Sequence, residues 1–176
     1  MPMIHRRTSR LLLVDFQQRL MPAITEGEVV LANAAILAQA ARLLDVPILR
    51  TEQYPKGLGP TVPPLQAFGQ VVEKISFGSC GSSAFLDAVT GTETLVVAGC
   101  EAHVCVLQTV LGLIESGRRV AVVADAVGTR RPESRTRALE RMATHGADIV
   151  TTEMVVFEWL ERADIPQFKA VSALIR

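Results

Sequence analysis

The chain has 176 residues, 49% of them hydrophobic and 20% charged, and its 18 Lys and Arg balance 18 Asp and Glu to a formal net charge of zero. That length suits one domain over residues 1–176 with a real core and is too short for two ordinary ones, while the balanced charge offers no electrostatic footprint for nucleic acid or an anionic membrane. The cysteines Cys80, Cys100 and Cys105 form no C-x-x-C pair and follow no leader pattern, which points to a reducing cytoplasm, and no apolar stretch is long enough to span a bilayer.

A basic start carrying His5, Arg6, Arg7 and Arg10 reads as frayed. Leu11 to Val14 is then a buried-strand run that ends in Asp15. Val29 to Leu44 has the periodicity and alanine content of a helix, and Val46 to Leu49 reads as a second strand, which completes a βαβ unit. The stretch 50–64, RTEQYPKGLGPTVPP, is rich in proline and glycine and reads as the one long surface loop. Val71 to Ile75 is a short strand carrying Lys74, and Ser83 to Val89 a short helix.

Leu95 to Ala98 is the most apolar strand run, and from Val104 onward the apolar residues Leu107, Leu111 and Ile114 recur at helical spacing. Cys105 therefore falls in the first turn of a helix at the carboxyl end of a central strand, where backbone N–H groups and the positive dipole end favour a thiolate and can hold an oxyanion. Val120 to Ala124 is a further buried strand, Pro132 to His145 a helix, Asp148 to Val150 a last strand, and Thr151 or Thr152 caps a helix through Leu160. Strands alternating with helices imply an α/β fold with a mostly parallel sheet covered on both faces, and ligands bind beyond the carboxyl ends of such strands.

Asp15, Lys74 and Cys105 each fall at or just past the end of a different strand. A carboxylate can accept a thiol proton, a lysine can hold that carboxylate ionised, and the cysteine can attack a carbonyl. Each also has a plain structural reading: Asp15 as a turn residue, Lys74 as an edge charge, Cys105 as core packing. Phe16, Tyr54 and Phe77 are candidate pocket walls. Arg130 and Arg131 follow the strand beside the cysteine's own, so a guanidinium there could fork onto a substrate carboxylate; the competing reading pairs them with Glu133.

LLLVDFQ (11–17), VVEKISF (71–77), VVAGCEAHVCV (96–106) and VVADAVGTR (122–130) together resemble the isochorismatase-like cysteine hydrolases, which include nicotinamidases and carbamoylsarcosine amidases. TEQYPKGLGPTVP (51–63) and EAHVCVLQT (101–109) are similar to the isochorismatase-domain-containing branch. The resemblance implies a three-layer α/β/α fold with a six-stranded parallel sheet in order 3-2-1-4-5-6, an Asp15, Lys74, Cys105 triad, and a homo-oligomer. It also implies a cis peptide before Glu101 that turns its N–H toward that of Cys105 as an oxyanion hole. Nicotinamidases place an Asp and histidines for a metal after the second strand; this chain has Arg50, Thr51, Glu52, Gln53 and Tyr54 there, so neither metal nor cofactor is expected, and His103, beside the nucleophile, reads as structural.

The function expected is a cysteine hydrolase cleaving a small amide or related acyl compound through a thioester, with a small molecule as its partner. Two alternatives are an isochorismatase-type ether hydrolase, which would give Cys105 no task, and a catalytically idle oligomeric binding protein of the same fold. A dinucleotide-binding domain is excluded because Asp15, Phe16, Gln17 and Gln18 follow the first strand where G-x-G-x-x-G would be needed.

Overall fold

The apolar runs become six parallel strands in the order β3-β2-β1-β4-β5-β6: β1 Ser9–Val14, β2 Ile48–Gln53, β3 Gln70–Lys74, β4 Thr94–Cys100, β5 Arg119–Gly128 and β6 Asp148–Val150. The computed structural model describes residues 3–91 and 94–176. Successive residues of a strand point to opposite faces, so Leu11 and Leu13 join one core with Val96, Ala98 and Ala121 while Leu12 and Val14 join the other with Leu95, Val97 and Val122. Burial on both sides is why these strands read as unbroken apolar runs.

Helices α1 (Gly27–Leu43), α7 (Thr152–Leu160) and α8 (Phe168–Ser172) cover the first face, with Leu37, Trp159 and Val171 inside. The second face is covered by α4 (Ser83–Ala88), α5 (Leu107–Glu115) and α6 (Pro132–Thr144), with Phe85, Val110 and Met142 inside. The order of the sheet reverses between β1 and β4, and that switch point is where ligands bind in open parallel sheets.

Three differences from the sequence reading have physical causes. The start is not frayed: Ile4 is 1% exposed, and its N–H donates to Glu158 Oε2 at 2.6 Å. The 50–64 stretch is only partly loop, because β2 runs on through Gln53 and is followed by the short helices α2 (Pro55–Leu58) and α3 (Pro63–Gln66). The polar residues there are buried by specific bonds, Arg50 Nε to Phe68 O at 2.6 Å and Thr61 N and Oγ1 both to Glu52 Oε1 at 2.7 Å. The helix expected around Cys105 divides into a wide π-helical turn over Ala102–Val106 and then α5.

Candidate active site

Asp15 leaves the end of β1 with a left-handed backbone (φ 53°), a conformation that Asp tolerates better than most residues. Its N–H bonds Thr51 O at 3.2 Å, and its carbonyl accepts from Gln17 N at 2.8 Å. The carboxylate is buried and divided between two donors: Lys74 Nζ reaches Oδ2 at 2.7 Å, and Thr51 Oγ1 reaches Oδ1 at 2.6 Å. Both ionic side chains are 0% exposed. Lys74, the last residue of β3, completes its hydrogen bonding with Phe77 O at 2.9 Å and Ser76 O at 3.2 Å. An ammonium has three protons to donate, so Lys74 can hold Asp15 and has none left for a ligand.

The carbonyls that anchor Lys74 are fixed in turn. Ser79 N donates to Thr109 Oγ1, and Thr109 Oγ1 to Ser79 Oγ, each at 3.0 Å, tying the 76–79 segment to α5. On the other side of Asp15, buried Gln17 donates to Gly59 O at 2.7 Å and Gln53 O at 3.1 Å while accepting from Gln53 N at 2.8 Å. Gln17 and Glu52 thus clamp the chain after β2 over the end of β1.

Cys105 lies in the π-helical turn and is 6% exposed. Burial, then the negative charge of Asp15, push its thiol up to about 12, against the opposing pull of Lys74; a hydrogen bond with Asp15 adds to the rise. This reverses the thiolate expected from a helix start, because desolvation and a neighbouring carboxylate outweigh the helix end. At neutral pH the arrangement is a neutral thiol beside a buried carboxylate. Burial raises the Cys100 and Cys80 thiols as well.

The peptide bond between Cys100 and Glu101 is cis. Glu101 O accepts from Val104 N at 3.0 Å and Val106 N at 3.2 Å, and among the described residues no turn, loop or cap bond takes the Glu101 N–H. The Glu101 carboxylate accepts from Arg130 N at 2.9 Å and from Nε at 3.1 Å to each oxygen, with Nη2 3.1 Å from Oε1. Burial alone would raise the Glu101 carboxyl; the hydrogen bonds and charge of Arg130 outweigh it and hold the group below its usual range.

The structure therefore joins Asp15 directly to Lys74 and sets Cys105 against Asp15, while the four residues read as substrate contacts disperse. Phe16 is 1% exposed and packs in the core of the opposite face. Tyr54 and Phe77 are 50% and 53% exposed, Tyr54 with a left-handed backbone at the start of α2. Arg130 has its fork on Glu101 rather than open to a ligand, and neither it nor Arg131 forms an ion pair with Glu133 among the described residues. Sequence reasoning missed Thr51, Gln17, Glu52 and the side chain of Glu101. Thr51 was the most accessible of these, since it pairs in register with Val14 immediately before Asp15. Among the described residues no three His, Cys, Asp or Glu side chains are grouped to hold a metal ion, and no helix is long and apolar enough to cross a membrane.

Residues 9–154 match the model of the isochorismatase domain. The chain is 39% identical to isochorismatase domain-containing protein 2A of Mus musculus over 96% of its own length and 83% of that protein's. Among solved structures it superposes on the MAR1 ribonuclease of Caenorhabditis elegans with a TM-score of 0.94 and 36% identity, covering 98% of this chain and 92% of that one. Escherichia coli YcaC, described as an octameric hydrolase of unknown specificity, gives 0.92 and 28% over 99% and 91%. YcaC of Pseudomonas aeruginosa, solved with hexane-2,5-diol and covalent acrylamide, gives 0.90 and 28% over 98% and 91%.

Proposed function

Because the chain belongs to the isochorismatase domain family, we propose that it is a cysteine hydrolase that cleaves a small amide or related acyl compound through a thioester on Cys105. The observation that carries this reading is an Asp15 carboxylate held on one oxygen by Lys74 and on the other by Thr51, beside a Cys105 thiol that burial and that carboxylate push up. A carboxylate so fixed is oriented as a base, and a nucleophile set beside an oriented base is the signature of covalent catalysis.

In the reaction, the sulfur attacks the carbonyl carbon while Asp15 takes the thiol proton. The negative oxygen is received by the N–H groups of Glu101 and Cys105, in the manner of an oxyanion hole. Asp15 returns the proton to the leaving nitrogen as the C–N bond breaks, and the amine departs, leaving a thioester. Water then attacks the thioester carbon with Asp15 as base, the C–S bond breaks as Asp15 returns the proton to sulfur, and the acid is released with the thiol regenerated. Lys74 keeps its three hydrogen bonds throughout and stabilises the ionised carboxylate. The acrylamide held covalently by Pseudomonas aeruginosa YcaC supports chemistry on compounds of this size.

A second reading, RNA cleavage, draws on the description of the Caenorhabditis elegans relative. The environment of Lys74 and Arg130 supports it less, since each is already paired with a carboxylate and a phosphodiester needs positive charge at its non-bridging oxygens. The test is ammonia release from a panel of small primary amides beside release of fragments from single-stranded RNA, with Cys105→Ala and Asp15→Asn as controls. Turnover of an amide that both variants lose supports the proposal; RNA cleavage lost in both variants, with no amide turned over, replaces it.

A further inference from the structure

We propose that Glu101 and Arg130 are positioning residues for acyl transfer: the Glu101 carboxylate, gripped by Arg130, fixes the Glu101 amide N–H against the oxygen that becomes negative. The inference rests on the function proposed above and adds to it a pair of side chains 29 residues apart in sequence, of which Arg130 was expected to meet a substrate carboxylate and the Glu101 side chain had no expected role.

Glu101 is the single residue between β4 and the turn that carries Cys105. Its carbonyl is engaged by Val104 and Val106, so the carboxylate is the second point at which the residue can be held. The grip comes from a firmly placed partner. Arg130 O accepts from Thr25 Oγ1 at 3.1 Å, Thr129 O accepts from Thr25 N at 2.9 Å, and Thr129 Oγ1 donates to Arg131 O at 2.6 Å. The ends of β4 and β5 and the segment before α1 therefore converge on one carboxylate.

The exposures of the two side chains bear on the role. Glu101 is 7% exposed and Arg130 61%. An ion pair with one partner so open to water contributes little to stability, so a purely structural purpose gives the pair little to do. At the site its consequence is larger. A bare buried carboxylate on the same residue as the oxyanion donor would oppose the developing negative charge, and Arg130 cancels that charge while its backbone N–H and Nε fix the orientation of the carboxylate. Small displacements of an oxyanion donor are costly, because the donor acts only when aimed at the position the oxygen occupies in the transition state.

The test separates steps that need an oxyanion from those that do not. Acylation of Cys105 by p-nitrophenyl acetate forms an S–C bond, passes the thiol proton to Asp15, builds negative charge on the carbonyl oxygen and expels p-nitrophenolate. Alkylation by iodoacetamide displaces iodide at saturated carbon and builds no such charge. Both are followed on the Cys105 peptide in the wild type, Arg130→Ala, Arg130→Lys and Glu101→Ala. The expected result is acylation slowed about tenfold or more in Arg130→Ala and Glu101→Ala, alkylation within about twofold of wild type, and partial recovery of acylation in Arg130→Lys. Equal slowing of both reactions, or no slowing of acylation where the wild type acylates, overturns the positioning role. A wild type that alkylates at Cys105 yet never acylates overturns the proposed function, and this inference with it.

Discussion

At the scale of single residues, the proposed chemistry depends on Cys105 starting as a thiol and giving up its proton only during attack. Its ionisation moves from an ordinary 9.0 up to about 12. An unfolded chain therefore loses this proton about three pH units before the folded one does. The contribution to stability is complete below about pH 9 and drains away as pH rises toward 12. Chemical denaturation at about pH 8 and about pH 10 should show the wild type losing about 1 kcal/mol more than Cys105→Ala across that interval; equal losses would mean the thiol is not perturbed. The Asp15–Lys74 pair gives a sharper effect. Both side chains are fully buried, and removing one partner of such a pair strands the other, so Lys74→Ala should cost about 3 kcal/mol or more in urea denaturation and abolish turnover. Asp15→Asn with Lys74→Met should recover part of the cost, because it strands neither charge.

At the scale of elements, the strands were legible because residues buried on both faces leave a β-branched apolar run, and Asp148–Val150 coincides with its sequence reading. The ends were not legible, since β2 continues through Arg50, Thr51 and Glu52, polar residues that become buried only by bonding to Phe68, Asp15 and Thr61. The π-helical turn at Cys105 likewise leaves the apolar spacing of a helix start nearly unchanged, so periodicity alone cannot distinguish the two. The Glu101–Arg130 contact joins the ends of two strands and has no local signature at all. One close approach makes the delivery of the elbow testable. A Cβ on Gly99 would lie 2.4 Å from Val14 O and 2.7 Å from Val14 Cβ, so β1 and β4 can meet beside Asp15 only without a side chain there. Gly99→Ala should cost about 1–3 kcal/mol and lower kcat, because it pushes apart the two strands that lead to Asp15 and to the turn carrying Cys105; a variant with wild-type stability and kcat would show that the contact can relax freely.

At the scale of the whole molecule, the α/β class was legible in the alternation of runs, and with it the general rule that ligands bind beyond the carboxyl ends of such strands, while the strand order 3-2-1-4-5-6 came from a family resemblance carried by four motifs. Periodicity fixes which residues are strands and leaves their neighbours open. The edge strand β3 and the segments beside it leave Ile75 74%, Phe77 53% and Val71 41% exposed, an apolar surface of the kind that marks an interface. This leads us to expect a homo-oligomer, which light scattering after size exclusion should detect as a mass that Ile75→Glu reduces. A monomeric wild type would contradict that expectation and leave the catalytic proposal untouched.

The catalytic proposal stands on a covalent bond between substrate carbon and Cys105 sulfur, and acid-quenched intact-protein mass spectrometry during turnover of an amide the enzyme accepts tests it most directly. The prediction is a transient mass increase equal to the acyl group, mapped to the peptide containing Cys105 and absent in Cys105→Ala. Turnover at full rate with no such adduct at any quench time, or with the adduct on Cys80 or Cys100, would contradict the account.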